Sequence, residues 1–322
     1  MRIALTGATG FVGSHLAEAL LTAGHEVACL VRSPARAAEL ERRGARLVPG
    51  ALEDEDALRR LVEGAAVLHH VAGLIAARDE AEFLRVNRAG TFALARIARA
   101  AGVGRLVYVS SLAVSGPTVP GRPLEEAEAD HPVTPYGRSK QEGEAAVRAS
   151  GVAFTIVRPA AVYGPRDREI LRVFQMARRG LVPLLGDGRQ ELSFIHAADL
   201  AGALVAAGAA AAAAGHTYHA AHPEVVEQRA FVRQVGTAVG RRVRLVRLPR
   251  PVVRGVLFAS GLFARATGRA TLLSPDKAAE FLAPAWTCTS TALARDAGWQ
   301  ASIPLAEGLP QTAAWYRSTG WL

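Results

Sequence analysis

The chain has 322 residues, half of them hydrophobic and about a fifth charged, which excludes a disordered chain and provides for one large domain plus a smaller lobe. The net charge is +9, and nearly all the cations are arginines scattered along the sequence. A nucleic-acid-binding protein would more often gather them in one stripe with aromatic residues, so we expect no nucleic-acid partner.

Cysteine content and hydropathy indicate the compartment. Two cysteines, Cys29 and Cys288, do not form a disulfide framework and indicate a reducing, cytoplasmic environment. The N-terminus does not resemble a signal peptide, and no stretch reaches the ~18 apolar residues needed to span a bilayer. The apolar segment 252–264 contains Arg254 and predicts a packed helix; the alternatives are a helix on a membrane surface or one covering an apolar substrate.

The first elements are a short apolar strand, residues 3–5, and a helix over residues 11–23 with one apolar face. Between them Gly7, Gly10 and Gly13 form a G-x-x-G-x-x-G turn. Glycines let a pyrophosphate approach the backbone, and the free N–H groups of the helix start face it. The turn therefore predicts a dinucleotide-binding site, although a bare tight turn would give the same pattern.

Strands and helices then alternate. The pattern predicts strands at 26–31, 46–48, 66–71, 105–110 and 152–157, and helices at 35–43, 54–63, 79–101 and 136–150. Continuously apolar strands that are each followed by a helix predict an α/β fold, a doubly wound parallel Rossmann sheet. Ligands of such sheets bind at the carboxyl ends of the strands.

Beyond Gly164 the composition changes to frequent glycine and proline, which predicts a smaller C-terminal α/β substrate lobe. We expect the dinucleotide-binding domain to span 1–165, with 190–215 returning to it as a short extended piece and an alanine-rich helix. The lobe then comprises 166–189 and 216–322, including a helix at 228–239 and a strand at 243–248.

The end of the second strand bears on the choice of cofactor. Arg32 stands where an acidic residue would bond the adenosine ribose of NAD. Its planar cation suits a 2′-phosphate, and Arg36 could assist, which favours NADP over NAD. A surface arginine without a role is the alternative in an arginine-rich chain.

The fourth strand ends in His69 and His70, followed by the small residues Ala72 and Gly73, which leave room for a cofactor. Adjacent strand residues face opposite sides of a sheet, so the two imidazoles are not expected to share a metal ion. With no third ligand nearby we interpret both as structural and expect no metal.

The catalytic candidates follow the fifth strand, which ends at Ser110 and Ser111. Tyr136 and Lys140 open a helix one turn apart, on one face. A lysine cation favours the phenolate and so would lower the phenol pKa from ~10. Tyr136 could then exchange a proton with a substrate oxygen while hydride moves to or from nicotinamide. Lys140 is one of only two lysines, the other being Lys277.

Together these residues resemble the extended short-chain dehydrogenase/reductase family, also called the NAD-dependent epimerase/dehydratase family. The similarity covers the phosphate turn, the Tyr108–Ser111 strand end, Tyr136 and Lys140, Asn87, and the segments 158–165 and 194–199. It implies Ser111, Tyr136 and Lys140 as catalytic residues. It implies cofactor contacts from Gly7, Thr9, Gly10, Phe11, Val12, Gly13, Arg32, Arg36, Leu52, Ala72, Asn87, Ser110, Tyr136, Lys140, Pro159 and Val162.

Departures from the family pattern narrow the class of substrate that we expect. Ala51 replaces an aspartate that contacts adenine in many relatives, Ala161 replaces an asparagine common in nucleotide-sugar enzymes, and 191–193 lacks their diphosphate-binding arginine. The segment 31–34 resembles reductases of flavonols, ketones and sterols. We therefore expect hydride transfer at a carbonyl or secondary alcohol of a small, lipophilic substrate. The alternatives are a nucleotide-sugar epimerase or dehydratase and a non-catalytic dinucleotide-binding protein; the resemblance also suggests a homodimer through helices 79–101 and 136–150.

Overall fold

The computed structural model describes residues 1–267, 271 and 275–322. Seven parallel strands form the central sheet, in the order β10-β6-β5-β4-β1-β2-β3. Their bounds are β1 Arg2–Thr6, β2 Glu26–Val31, β3 Arg46–Pro49, β4 Val67–His70, β5 Arg105–Val109, β6 Phe154–Pro159 and β10 Thr217–Ala220. The strand order reverses between β1 and β4, which places the ligand crevice of a doubly wound sheet beside β1. The predicted α/β fold class is confirmed.

Helices cover both faces of this sheet. They are α1 Phe11–Thr22, α2 Ala38–Arg42, α3 Glu55–Val62, α4 Glu80–Leu84, α5 Thr91–Ala100, α6 Pro135–Ala149 and α8 Ala197–Ala209. One buried apolar cluster lies between the sheet and α1 and α8, and a second lies on the opposite face beneath α3 and α5. Sandwiching between two apolar layers explains why the strands are apolar throughout.

The single helix predicted for 79–101 is divided into three parts. Between α4 and α5 the backbone forms a π-helix, Arg85–Gly90, which contains the buried Asn87. Asn87 bonds both the 73–75 loop and α6, so its position is fixed by tertiary contacts that hydropathy does not encode. The segment predicted as helix 35–43 is also divided, into a 3₁₀ turn, Pro34–Ala37, and α2.

The second lobe is built from small sheets and helices. Strands β7 Ala161–Tyr163, β9 Glu191–His196, β11 Val225–Glu227 and β13 Ala285–Trp286 form one sheet, and β8 Leu181–Leu185 pairs with β12 Arg244–Leu248. The helices are α7 Leu171–Arg178, α9 Gln228–Ala238, α10 Arg250–Thr267, α11 Ala278–Phe281, α12 Thr291–Ala297 and α13 Leu305–Ser318. Residues 268–270 and 272–274 of the predicted lobe lie outside the described residues.

The boundary between the lobes differs from the one expected. Strand β10 pairs in parallel with β6, so the return to the central sheet extends to Ala220, past residue 215. Strand β9, inside the expected return, instead pairs with β7, β11 and β13. Strand β10 occupies the edge of the sheet beside β6. It was not predicted, because its four residues are too few to show a clear hydropathy period. No helix within the described residues has the length and hydropathy needed to cross a membrane.

Candidate active site

The glycine turn brings β1, α1 and β4 into close contact. Gly7 has a φ of +78°, and a Cβ there would lie 2.8 Å from the Ala72 nitrogen at the end of β4. A Cβ at Gly13 would overlap the carbonyl group of Gly7. Glycine is therefore required at Gly7 for the positive φ and the close approach of the chain after β4, and at Gly13 for the contact between α1 and the turn.

The N-terminus of α1 is open to an anion. Its N-cap is Gly10, no side chain caps it, and the first turn contains no acidic residue. The first four N–H groups of a helix have no partner within it, and the helix dipole adds positive potential. Thr9 and Gly10 are exposed, while Phe11 and Val12 are half-buried. This end of α1 fits a dinucleotide pyrophosphate.

The residues expected around the adenosine lie at the edge of the same crevice. Arg32 and Arg36 are both exposed, and neither forms an ion pair with a carboxylate of the described residues. Leu52 is half-buried and packs against the apolar cluster below α3. Pro159 ends β6, and Val162 lies in β7 against the other cluster.

Asn87 holds the loop that follows β4. Its Oδ1 accepts a hydrogen bond from the Leu74 nitrogen at 2.8 Å, and its Nδ2 donates to the Leu74 oxygen at 3.0 Å and to Ser139 Oγ at 2.9 Å. A Cβ on Gly73 would lie 3.1 Å from Asn87 Oδ1 and 3.6 Å from Lys140 Nζ. Asn87 therefore joins the loop to α6 next to the catalytic candidate Lys140.

The two histidines of β4 face opposite layers, as the strand periodicity predicts. His70 lies between Thr6, whose Oγ1 is 2.7 Å from Nδ1, and Thr91, whose Oγ1 is 3.0 Å from Nε2. His69 packs beneath Gly208 of α8 on the other face. Burial lowers the pKa of each to about 3, so both imidazoles are neutral. These contacts support the structural interpretation.

Lys140 is buried, and its Nζ donates to the Val109 oxygen at 2.7 Å, at the carboxyl end of β5. The ammonium also lies 4.3 Å from the centroid of the Tyr108 ring. Burial lowers the lysine pKa to about 7, although the Glu144 carboxylate pulls it upward. The contact with β5 fixes the first turn of α6 against the central sheet.

Tyr136 differs from the expectation of a lowered pKa. Burial raises its pKa to about 12; the Ser111 side chain, which faces the phenol, lowers it, and Glu280 adds to the rise. Desolvation of the phenolate thus outweighs the favourable contacts, and the phenol stays protonated at neutral pH. A protonated phenol can donate a proton to a substrate oxygen but is a poor base.

A buried polar network supports α6 from below. Ser110 Oγ donates to Glu144 Oε1 at 2.6 Å, and the Arg158 guanidinium bonds both Glu144 and Asp130, the latter at 2.6 and 2.8 Å. Arg158 holds the pKa of Glu144 below its usual range, against the effect of burial. The Ser110 hydroxyl is therefore directed at this network, which joins β5, α6 and β6 behind the catalytic candidates.

A cavity of about 290 Å³ opens beside Tyr136. Its walls include Ile75 and Phe83 on one side and Gly261 and Ala264 of α10 on another. The Phe83 and Tyr136 ring centroids are 6.0 Å apart. Helix α10 thus covers the phenol with small residues, as the segment 252–264 would if it covers an apolar substrate.

Lys277 was not identified from the sequence as a candidate site residue. Its ammonium lies 5.1 Å from the Tyr136 ring centroid and 2.5 Å from Glu280 Oε2, inside the same cavity wall. Only the scarcity of lysine could have indicated this residue, since both lysines of the chain lie beside Tyr136. It adds a cation to a cavity whose lining also includes the charged residues Arg78, Asp79, Glu80 and Asp276.

An open helix N-terminus at a Rossmann crevice, with a Tyr-x-x-x-Lys helix beside it, defines the class: enzymes of the extended short-chain dehydrogenase/reductase type. The model of the NAD-dependent epimerase/dehydratase family matches residues 3–221. The chain belongs to this family, whose members include NAD-dependent reductases and epimerases.

Three known proteins illustrate the relationship. The chain is 36% identical to "Ceramide reductase" of Caulobacter vibrioides (strain NA1000 / CB15N), over 99% of this chain and 96% of that protein. It is 33% identical to "2-alkyl-3-oxoalkanoate reductase" of Stenotrophomonas maltophilia (strain K279a), over 74% and 76%. A solved structure of DesIV, a dTDP-glucose 4,6-dehydratase from Streptomyces venezuelae with NAD and TYD bound, is similar with a TM-score of 0.80 and 25% identity, over 100% and 98%.

Proposed function

We propose that the protein is an NADPH-dependent reductase that acts on the carbonyl group of an apolar, long-chain substrate. The observation that carries this proposal is the position of the protonated Tyr136 phenol in a cavity roofed by α10. Two similar proteins are named as reductases, of ceramide and of 2-alkyl-3-oxoalkanoate, and both names denote molecules that carry alkyl chains.

The contacts around Tyr136 support the following catalytic roles. Ser111 would donate a hydrogen bond to the substrate carbonyl oxygen, and Tyr136 would donate the proton to the same oxygen. Lys140, whose Nζ donates to the Val109 oxygen, would orient the nicotinamide ribose and stabilise the phenolate left after the transfer. NADPH supplies the hydride. The high pKa of Tyr136 suits reduction, since that direction needs an acid and not a base.

The nucleotide-sugar alternative has one observation in its favour. A second cavity, of about 330 Å³, is lined by Arg229, Arg233 and Arg247, which could hold a diphosphate. It shares no lining residue with the Tyr136 cavity. At the position of the family's diphosphate arginine, Glu191 instead accepts a hydrogen bond from the Gly121 nitrogen at 2.7 Å. We therefore favour the reductase.

A substrate assay distinguishes the two functions. The purified protein should oxidise NADPH in the presence of a long-chain 3-oxo amide or ester, with one alcohol formed per NADPH consumed. A ketone of the same head group with a two-carbon chain should show a KM at least about tenfold higher, because it buries less apolar surface. Tightly bound NAD together with conversion of UDP-glucose, and no NADPH oxidation with any ketone, would contradict the proposal.

The preference for NADP depends on Arg32. We expect Arg32→Ala to weaken NADP binding about tenfold and to leave NAD binding within twofold, since only the 2′-phosphate needs the guanidinium. Arg42→Ala is the control, because Arg42 is equally exposed but pairs with Glu39 on α2. Titration calorimetry with both cofactors measures the effect. An unchanged ratio of the two affinities in Arg32→Ala would assign NADP recognition elsewhere.

A further inference from the structure

Helix α10 exposes a continuous apolar face. This α10 apolar face consists of Val252, Val256, Phe258, Leu262 and Phe263, and its phenylalanines are 59% and 68% exposed. The helix is held to the protein by its other side, where Val253 and Leu257 are buried and Gly261 closely approaches Pro275. Eleven large hydrophobic side chains are exposed among the described residues, and five of them belong to this face. Side chains of this kind concentrated on one helix indicate a contact surface.

The excess positive charge of the chain is carried by the segment that contains this helix. Between residues 228 and 275 the sequence has no aspartate or glutamate. It has ten arginines there: Arg229, Arg233, Arg241, Arg242, Arg244, Arg247, Arg250, Arg254, Arg265 and Arg269. The rest of the chain contains 28 basic and 29 acidic residues and is nearly neutral. The basic residues are thus not evenly scattered along the sequence, because the excess is concentrated between residues 228 and 275.

The exposed arginines lie next to the apolar face in the fold. Strand β12 leads through Pro249 directly into α10, and Arg244, Arg247, Arg250 and Arg254 are all exposed along it. No ion pair within the described residues involves Arg250 or Arg254. A helix with cations at its border and phenylalanine and leucine on its exposed face has the pattern of an interfacial membrane helix.

The same helix borders the active-site cavity. Gly261 and Ala264 of α10 line the space beside Tyr136, and the exposed Leu262 and Phe263 lie between them in the sequence. Ile75, also exposed, lines the same cavity. The apolar face and part of the cavity lining are therefore carried by the same stretch of helix.

We propose that the α10 apolar face docks on the surface of an anionic phospholipid bilayer, with its arginines among the headgroups. The apolar side chains enter the headgroup–acyl boundary, and the arginines pair with lipid phosphates. A second copy of the chain fits less well, since a twofold contact would bring two arginine-rich segments together. Resting on the proposed reductase function, docking delivers a membrane-dissolved ketone to the cavity beside Tyr136.

Vesicle co-sedimentation tests the docking itself. The full chain should bind vesicles of phosphatidylcholine with 30% phosphatidylglycerol at least about tenfold more tightly than vesicles of phosphatidylcholine alone. Binding should weaken as salt is raised, because exposed charges are screened. Phe263→Asp and the double variant Arg250→Glu/Arg254→Glu should each reduce binding about tenfold or more.

Val119→Asp is the matched control. It places a carboxylate on an apolar residue that is 54% exposed but lies outside α10, and it should bind vesicles as the parent does. Thermal melting of each variant checks folding. Equal binding by Phe263→Asp and the parent would overturn the proposal, as would the absence of any preference for anionic vesicles. A concentration-dependent dimer that Phe263→Asp abolishes, without vesicle binding, would assign the face to a second copy.

Turnover separates this proposal from the function on which it rests. With a long-chain ketone embedded in anionic vesicles, Phe263→Asp should lose at least about tenfold in rate, and with a short soluble ketone it should match the parent. If the parent reduces neither ketone yet binds anionic vesicles, the reductase function fails and the docking stands. If Phe263→Asp keeps full activity on the embedded ketone, delivery through α10 is wrong even if the reductase function holds.

Discussion

Tyr136→Phe should reduce kcat at least about 100-fold and leave the Kd for NADPH within about threefold. The phenylalanine ring keeps the packing against Phe83, whose ring centroid is 6.0 Å away, but it has no proton to donate. General acid catalysis by a positioned side chain contributes about 10²–10⁴-fold, which sets the size of the effect. We propose that NADPH binding depends mainly on the open N-terminus of α1, which this change does not touch. Stopped-flow turnover and fluorescence titration measure the two quantities.

Tyr316→Phe provides the control for removal of a buried phenol. The Tyr316 hydroxyl donates to the Asp167 oxygen at 2.7 Å, in the second lobe and away from the cavity beside Tyr136. Its loss should lower the free energy of unfolding by about 1 kcal/mol and leave kcat within twofold. If Tyr136→Phe retained more than a tenth of the parent kcat, the proton would come from another group, and the roles assigned to Ser111 and Lys140 would fall with it.

The fold was largely predictable because its determinants are local. The strand periodicity, the glycines of the turn and the spacing of Tyr136 and Lys140 all lie within short stretches of sequence. Asp54, predicted as the first residue of a helix, caps α3 by accepting the Ala57 N–H at 2.9 Å. Each such feature depends on neighbours within a few residues, so hydropathy and capping chemistry determine it.

The features that were not predicted depend on tertiary contacts. The π-helix at 85–90 forms where Asn87 bonds the 73–75 loop and Ser139, far apart in the sequence. The pKa of Tyr136 rises where the spacing of Tyr136 and Lys140 predicted a fall, because the spacing reports the cation but not the burial of the phenol. Lys277 lies beside Tyr136 although the two residues are far apart in the sequence, and no local sequence pattern predicts this contact.

The second large effect concerns the turn at the start of the chain. Gly13→Ala should weaken NADPH binding at least about 100-fold and lower the free energy of unfolding by about 2–3 kcal/mol. The new Cβ would overlap the carbonyl carbon and oxygen of Gly7, and backbone atoms of a tight turn cannot rotate away as a side chain can. Helix α1 must therefore move off the turn, which separates its free N–H groups from the position of the pyrophosphate.

A graded set of glycine variants distinguishes this steric cause from a general effect of alanine in a helix. Gly255→Ala in α10 adds a Cβ that meets no atom within 4 Å, so stability should stay equal or rise by up to about 1 kcal/mol. Gly10→Ala places its Cβ 3.2 Å from the Gly7 oxygen and should have an intermediate effect on binding. Titration calorimetry measures the Kd for NADPH of each variant, and urea unfolding measures its free energy of unfolding. If Gly13→Ala bound NADPH as tightly as Gly255→Ala, the close contact between α1 and the turn would not be what creates the cofactor site.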